Sequence, residues 1–156
     1  MEKTMVELFA GVGGFRVGME RLNSGWTTSW FSQWEPGKKK QWAHDCYVYH
    51  FGDVKDLAGE STTGIDVSEV DKRNIPDHTL LTGGFPCQDY SVAHSLSSSK
   101  GIEGKKGVLW WQIRDILIAK RPPFVLLENV DRLLKSPASQ RGRDFGLMFA
   151  SCAHLG

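Results

Sequence analysis

A short apolar run at residues 6–9 (Val-Glu-Leu-Phe) passes without a spacer into Ala10-Gly11-Val12-Gly13-Gly14, and then into residues 15–22, whose apolar Val17, Met19 and Leu22 suit one helical face. Glycines this dense between two apolar segments predict a strand, a tight turn and a helix. That unit narrows the choice of fold sharply. A strand that leaves through a helix returns to its sheet by a crossover, which is right-handed and sets the next strand parallel.

The alternation continues along the chain. Residues 27–33, rich in β-branched and aromatic side chains, read as a second strand, and Pro36 or Gly37 opens a helix that runs to about His50. After a Gly-, Ser- and Thr-containing stretch at 52–64, residues 65–67 are expected as a minimal third strand, 79–82 as a fourth and 124–128 as a fifth. Between the last two lie a polar loop (93–106) and an amphipathic helix (107–119) stopped by Arg121-Pro122-Pro123. A final helix spans 142–155, and Gly156 stands where a sixth strand would start, so an incomplete sheet is expected. The fold class predicted is α/β, doubly wound, with a parallel sheet covered by helices on both faces.

Composition removes several classes of protein. Of 156 residues, 40% are hydrophobic and 24% charged, which suits a single globular domain with a sizeable core. No run of 18 or more apolar residues occurs, and Met1-Glu2-Lys3-Thr4-Met5 lacks the apolar stretch of a secretion signal, so a cytoplasmic location is expected. Cys46, Cys87 and Cys152 are odd in number and far apart, which argues against a disulfide framework and for reduced thiols. With a net charge of only +1, contact with nucleic acid would depend on local patches such as Lys38-Lys39-Lys40 or the lysines within 100–106.

One of these thiols stands apart. Gly83-Gly84-Phe85-Pro86-Cys87-Gln88 follows the apolar run at 79–82, so Cys87 is expected at the carboxyl end of a strand, where doubly wound folds carry their chemistry. Leu126-Leu127-Glu128-Asn129-Val130 ends the next strand with a carboxylate, expected to be buried and to share a cleft with Cys87. The five histidines show no metal-ligand spacing, and no Ser-His-Asp arrangement accompanies the cysteine.

The glycine turn is suited to a nucleotide-like ligand at a helix amino terminus. Its spacing is not that of a dinucleotide fingerprint, because Arg16 occupies the place of the third glycine, which disfavours a nicotinamide oxidoreductase. Trp34 is placed to stack on an adenine, Gln33 and Glu35 to bond ribose hydroxyls, and Asp66 to accept from an adenine amino group; core packing for Trp34 and a turn cap for Asp66 are the structural alternatives.

Phe9-Ala10-Gly11-Val12-Gly13-Gly14, Gly84-Phe85-Pro86-Cys87-Gln88, Gly107-Val108-Leu109-Trp110-Trp111 and Glu128-Asn129-Val130, in this order and at these separations, resemble the motifs of the C5-cytosine DNA methyltransferases of bacterial restriction-modification systems. The resemblance implies a Rossmann-like fold and S-adenosylmethionine as cofactor. Phe9, Gly11, Val12, Gly13, Gly14, Trp34, Asp66, Val67, Pro86 and Leu109 would line that cofactor, with Gln33 or Glu35 on its ribose. The family's usual acid just before the aromatic aligns with Gln33. Cys87 would be the nucleophile toward C6 of a flipped cytosine and Glu128 its acid partner, with Phe85, Gln88, Ser91, Asn129 and Val130 near the base.

The loop from 89 to 106 resembles the family's mobile loop over that base. The family's Gln-x-Arg-x-Arg motif, its target-recognition domain and its last motif have no counterpart here, and Gln140-Arg141-Gly142-Arg143 has the wrong arginine spacing. The expectation is an incomplete, amino-terminal portion of a catalytic domain over residues 1–156, either a fragment or one subunit of a split enzyme whose second chain recognises the target. An RNA cytosine methyltransferase and a catalytically silent cofactor- or DNA-binding fragment are the alternative functions.

Overall fold

The computed structural model describes residues 1–85, 109–135 and 141–154. The chain divides into two compact units, Met1–Gly84 with Pro122–Leu127, and Phe85–Arg121 with Glu128–Gly156.

The first unit is built on a sheet of order β2-β1-β3-β4. Strand β1 (Thr4–Leu8) lies between β2 (Thr27–Ser32) and β3 (Leu80–Gly84) and is parallel to both. Register runs from Thr4 opposite Thr27 to Leu8 opposite Ser32 on one side, with a shift between Met5 and Val6, and from Met5 opposite Leu80 to Leu8 opposite Gly83 on the other. Met5, Val6, Glu7 and Leu8 are all buried, as in an interior strand covered on both faces. Helix α1 (Gly14–Arg21) follows β1, and α2 (Trp42–Phe51) follows β2. The Tyr47 ring of α2 stacks on Phe31 of β2 at 3.8 Å, and Ala10, Val48 and Phe51 complete that cluster.

Strand β4 (Phe124–Glu128) takes the span expected for it and is the neighbour of β3, with Phe124 N–H donating to the Thr79 carbonyl at 3.1 Å. It ends the order of described strands, and Phe124, Val125 and Leu126 are exposed. Gly83 lies outside the left-handed region, and a Cβ there would make ordinary contacts with Leu8 and Leu127, so the sheet itself does not demand glycine.

Two expectations fail in this unit. Residues 65–67 form no strand: Asp66 Oδ1 accepts from the Ser68 N–H at 2.9 Å and the Asp66 carbonyl from Glu69 N–H at 2.9 Å, so the aspartate starts a turn. Residues 36–41 are not helical. Gly37 has φ +74°, and the Gln41 side chain bonds the Glu35 N–H, the Glu35 carbonyl and the Lys38 carbonyl, closing a loop that delays α2 to Trp42.

In the second unit, helix α3 (Leu109–Lys120) buries Trp110, Ile113, Ile116 and Leu117, one face at helical spacing. It stops where expected, with Arg121 at φ +46° before two prolines. A 3-10 turn, Asp131–Lys135, and helix α4 (Arg143–Ala153) pack together. Gly142, at φ +80°, opens α4, so the arginines at 141 and 143 stand at a helix start. No helix among the described residues is long and apolar enough to cross a membrane.

Candidate functional site

The turn after β1 is shaped by backbone that most residues avoid. Phe9 and Gly11 have φ of +53° and +56°, Gly13 has +94°, and the Gly13 N–H donates to the Ala10 carbonyl at 2.9 Å. A non-glycine residue held at positive φ is uncommon and is a frequent mark of a functional turn. The Gly11 N–H donates to Gln33 Oε1 at 2.7 Å, so the end of β2 holds the turn that ends β1. A Cβ at Gly11 or Gly14 would meet nothing within 4 Å, and Val12 is 59% exposed, so this backbone faces open space. Gly13 is the opposite case: a Cβ there would lie 2.5 Å from Phe51 Cε2 and 3.2 Å from Tyr47 Cε2.

The two candidates for the ribose are separated by their surroundings. Gln33 is buried, its N–H donates to the Thr63 carbonyl at 3.1 Å, and its side chain is on the glycine turn. Glu35 instead accepts from the Ala43 N–H through Oε2 at 3.3 Å, so its carboxylate serves the first turn of α2. Trp34, between them, is 39% exposed and free of the core cluster that the alternative for it required. Asp66 is half-buried in its turn while Val67 is buried, and the Val67 carbonyl accepts from Lys72 Nζ.

Gln41 and Thr63 carry no local sequence signal, yet both position this site. Thr63, fully buried, has its Oγ1 donating to Asp53 Oδ1 at 2.5 Å and bonded to His44 Nε2 at 2.9 Å, while its carbonyl holds Gln33.

In the second unit, Asn129 Nδ2 donates to the Phe85 carbonyl at 2.7 Å, which joins two of the residues expected near the base. Val130 is 51% exposed, and Leu109 is half-buried as the first residue of α3. Glu128 is exposed, contrary to the burial expected from the apolar run before it, because β4 ends the order of described strands and its apolar residues are themselves uncovered. Pro86, Cys87, Gln88, Ser91 and the loop at 93–106 lie outside the described residues.

A profile of the family described as C-5 cytosine-specific DNA methylase matches residues 3–153. The chain is 50% identical to the Type II methyltransferase M.Sau3AI of Staphylococcus aureus over 97% of its own length and 36% of that protein's. It is 36% identical to the Type II methyltransferase M.NgoBI of Neisseria gonorrhoeae, covering 100% of itself and 42% of that protein. It is 34% identical to the Type II methyltransferase M.HhaI of Haemophilus parahaemolyticus, covering 80% of itself and 33% of that protein. The chain thus spans well under half the length of these curated relatives. With its strand, glycine turn and helix inside the matched region, the chain belongs to the C-5 cytosine-specific DNA methylase family.

Proposed function

We propose that this chain is the amino-terminal, chemistry-bearing portion of an enzyme that methylates C5 of cytosine in DNA, with S-adenosylmethionine as the methyl donor. The observation that carries the proposal is the glycine turn held by Gln33 at the carboxyl ends of β1 and β2, with open space over Gly11 and Gly14. Ligands of open α/β sheets bind at such strand ends, where the chain order reverses direction.

The residues present fit that cofactor. Open space over two glycines leaves room for a ligand against the backbone, the exposed Trp34 ring offers an adenine a face to stack on, and Gln33 keeps an Nε2 donor for a ribose hydroxyl. Phe9, Val12, Val67, Pro86 and Leu109 would supply apolar wall. When bound, S-adenosylmethionine supplies an electrophilic methyl group.

The side chains of this chain prepare the acceptor. The Cys87 thiolate adds to C6 of a cytosine flipped out of the duplex, which makes C5 electron-rich, and Glu128 as a carboxylic acid bonded to N3 stabilises the charge pushed into the ring. Once C5 has taken up the methyl group, loss of the C5 proton to a base would let Cys87 leave from C6 by elimination, restoring the aromatic ring. Lysines of the loop after Cys87 meet DNA phosphates. Recognition of the target sequence comes from a further segment or a second chain, and the location is the cytoplasm, consistent with Cys46 and Cys152 being free thiols.

Duplex DNA carrying 5-fluorocytosine, incubated with the chain and S-adenosylmethionine, is expected to yield a covalent protein–DNA adduct that C87S does not form. Absence of the adduct, together with no measurable S-adenosylmethionine binding by the wild type, overturns the proposal.

A further inference from the structure

Beneath the glycine turn lies an ionisable group that the methyl transfer described above leaves unused. Glu7, in the middle of β1, is 0% exposed. A buried carboxylate is expensive unless its oxygens are matched by donors or charge. Its Oε2 accepts from the Tyr47 hydroxyl at 2.9 Å, whereas its Oε1 is buried without a well-formed hydrogen bond. Tyr47 is itself fully buried and stacked on Phe31, so the position of its hydroxyl is fixed by the core.

What faces the carboxylate is the start of α1. The backbone N–H groups of Phe15 and Arg16 and the Arg16 guanidinium favour the ionised form of Glu7, although burial, the largest influence, pushes its pKa above the ordinary carboxylate range. Those N–H groups belong to the first turn, whose donors have no partner within the helix. Helix α1 has no cap of its own: its N-cap is Gly13, which bears no side chain, and no acid stands in its first turn. The same α2 residues clamp the turn from the side, since Tyr47 and Phe51 lie against Gly13, and the Arg16 guanidinium lies 4.6 Å above the Phe51 ring.

We propose that Glu7 and Tyr47 are positioning residues for the cofactor: the Tyr47 hydroxyl fixes the Glu7 carboxylate under the first turn of α1, and the carboxylate holds the glycine turn in its ligand-accepting shape. Gln33 holds the turn at Gly11, and Glu7 holds it at Phe15 and Arg16. The proposal rests on the S-adenosylmethionine site described above, and its two readouts separate the fate of one from that of the other.

Y47F removes a single oxygen and keeps the stacked ring; E7L removes the acceptor at similar volume. The first readout is amide exchange in the ligand-free full chain, followed by NMR. Exchange at Phe15 and Arg16 should quicken by roughly 10-fold in both variants, as for the loss of one hydrogen bond to a charged group, while Leu8 and Leu81 keep wild-type protection. The second readout is calorimetric titration with S-adenosylmethionine, for which affinity should fall by roughly 10-fold on the same basis, with partial recovery in E7Q, which retains an acceptor for Tyr47. Unchanged exchange at Phe15 and Arg16 in folded Y47F overturns the proposal, as does wild-type affinity in both variants. If the wild type itself fails to bind S-adenosylmethionine, the cofactor site is wrong, and faster exchange confined to Phe15 and Arg16 still upholds the Glu7–Tyr47 hold on the turn.

Discussion

Gly11 and Gly13 are two residues apart in one turn, yet alanine at these positions should produce opposite phenotypes. Both have positive φ, +56° and +94°, and forcing an alanine into that region costs about 1–2 kcal/mol. At Gly11 nothing lies within 4 Å of the added methyl, so no further penalty arises. At Gly13 the methyl would stand 2.5 Å from Phe51 Cε2 and 3.2 Å from Tyr47 Cε2. Tyr47 cannot yield, because its ring is stacked on Phe31 at 3.8 Å. Relief must come from Phe51 or from the turn, and overpacking of this kind costs about 1–3 kcal/mol. G13A should therefore be less stable than G11A by about 1–3 kcal/mol, read as a lower urea midpoint at unchanged m-value. In function the order should reverse per unit of lost stability, since the methyl of G11A would enter the space proposed for the ligand without crowding the core. Equal urea midpoints for the two variants, or a G11A chain that is folded and binds S-adenosylmethionine like the wild type, would refute the assignment of open and packed sides to this turn.

Other outcomes follow from single contacts. W34A should weaken S-adenosylmethionine binding by about 1–3 kcal/mol, the usual range for loss of stacking on a base, with little change in urea midpoint because the ring is outside the core cluster. T63V leaves Asp53 and His44 without their shared partner and should lower stability by about 1–3 kcal/mol in the same assay. Glu7 has its carboxyl raised by burial, so the stability it contributes is full below the ordinary value of 4.5 and is lost as pH rises through the folded value. Thermal unfolding of E7Q followed from about pH 4 to about pH 7 should accordingly show it gaining on the wild type, by at most about 1.4 kcal/mol per pH unit while the one carboxyl titrates; a pH-independent difference contradicts this. Asp71 has the opposite sign: its bonds from Arg73 hold its carboxyl at about 2, so its contribution is complete above 3.8 and fades as pH falls through about 2, a component that D71N should delete from the acid-unfolding curve.

How far the fold could be read from sequence depended on whether the deciding contact was local. The unit of β1, glycine turn and α1 is legible because apolar spacing and glycines are themselves local signals. The same holds for β4, whose span agrees residue for residue with the expected 124–128. Ile65-Asp66-Val67 misled because two β-branched residues outweighed the aspartate, whose own carboxylate bonds the Ser68 N–H and turns the chain. Pro36-Gly37 misled similarly: it resembles a helix start, but the side chain that organises it, Gln41, lies further on. Within the site, composition leaves the two candidates equal, and only folding reveals that the Gln33 side chain is bonded to Gly11 while the Glu35 carboxylate is bonded to the first turn of α2. Glu7 gave no signal at all. An acid inside an apolar run looks like an exposed interruption until a tyrosine from another element is found on it.

The sheet order carries a lesson about tolerance to change. Because β1 lies between β2 and β3, the chain moves outward in one direction after β1 and in the other after β2, and a crevice opens where those paths diverge. Connectivity alone creates this crevice, before any side chain is chosen. If the proposed cofactor site is right, Q33E should therefore change the strength of S-adenosylmethionine binding in a calorimetric titration without abolishing it. On the proposed function, variation at the rim becomes a means of tuning a ligand's grip, while the topology keeps the crevice in place.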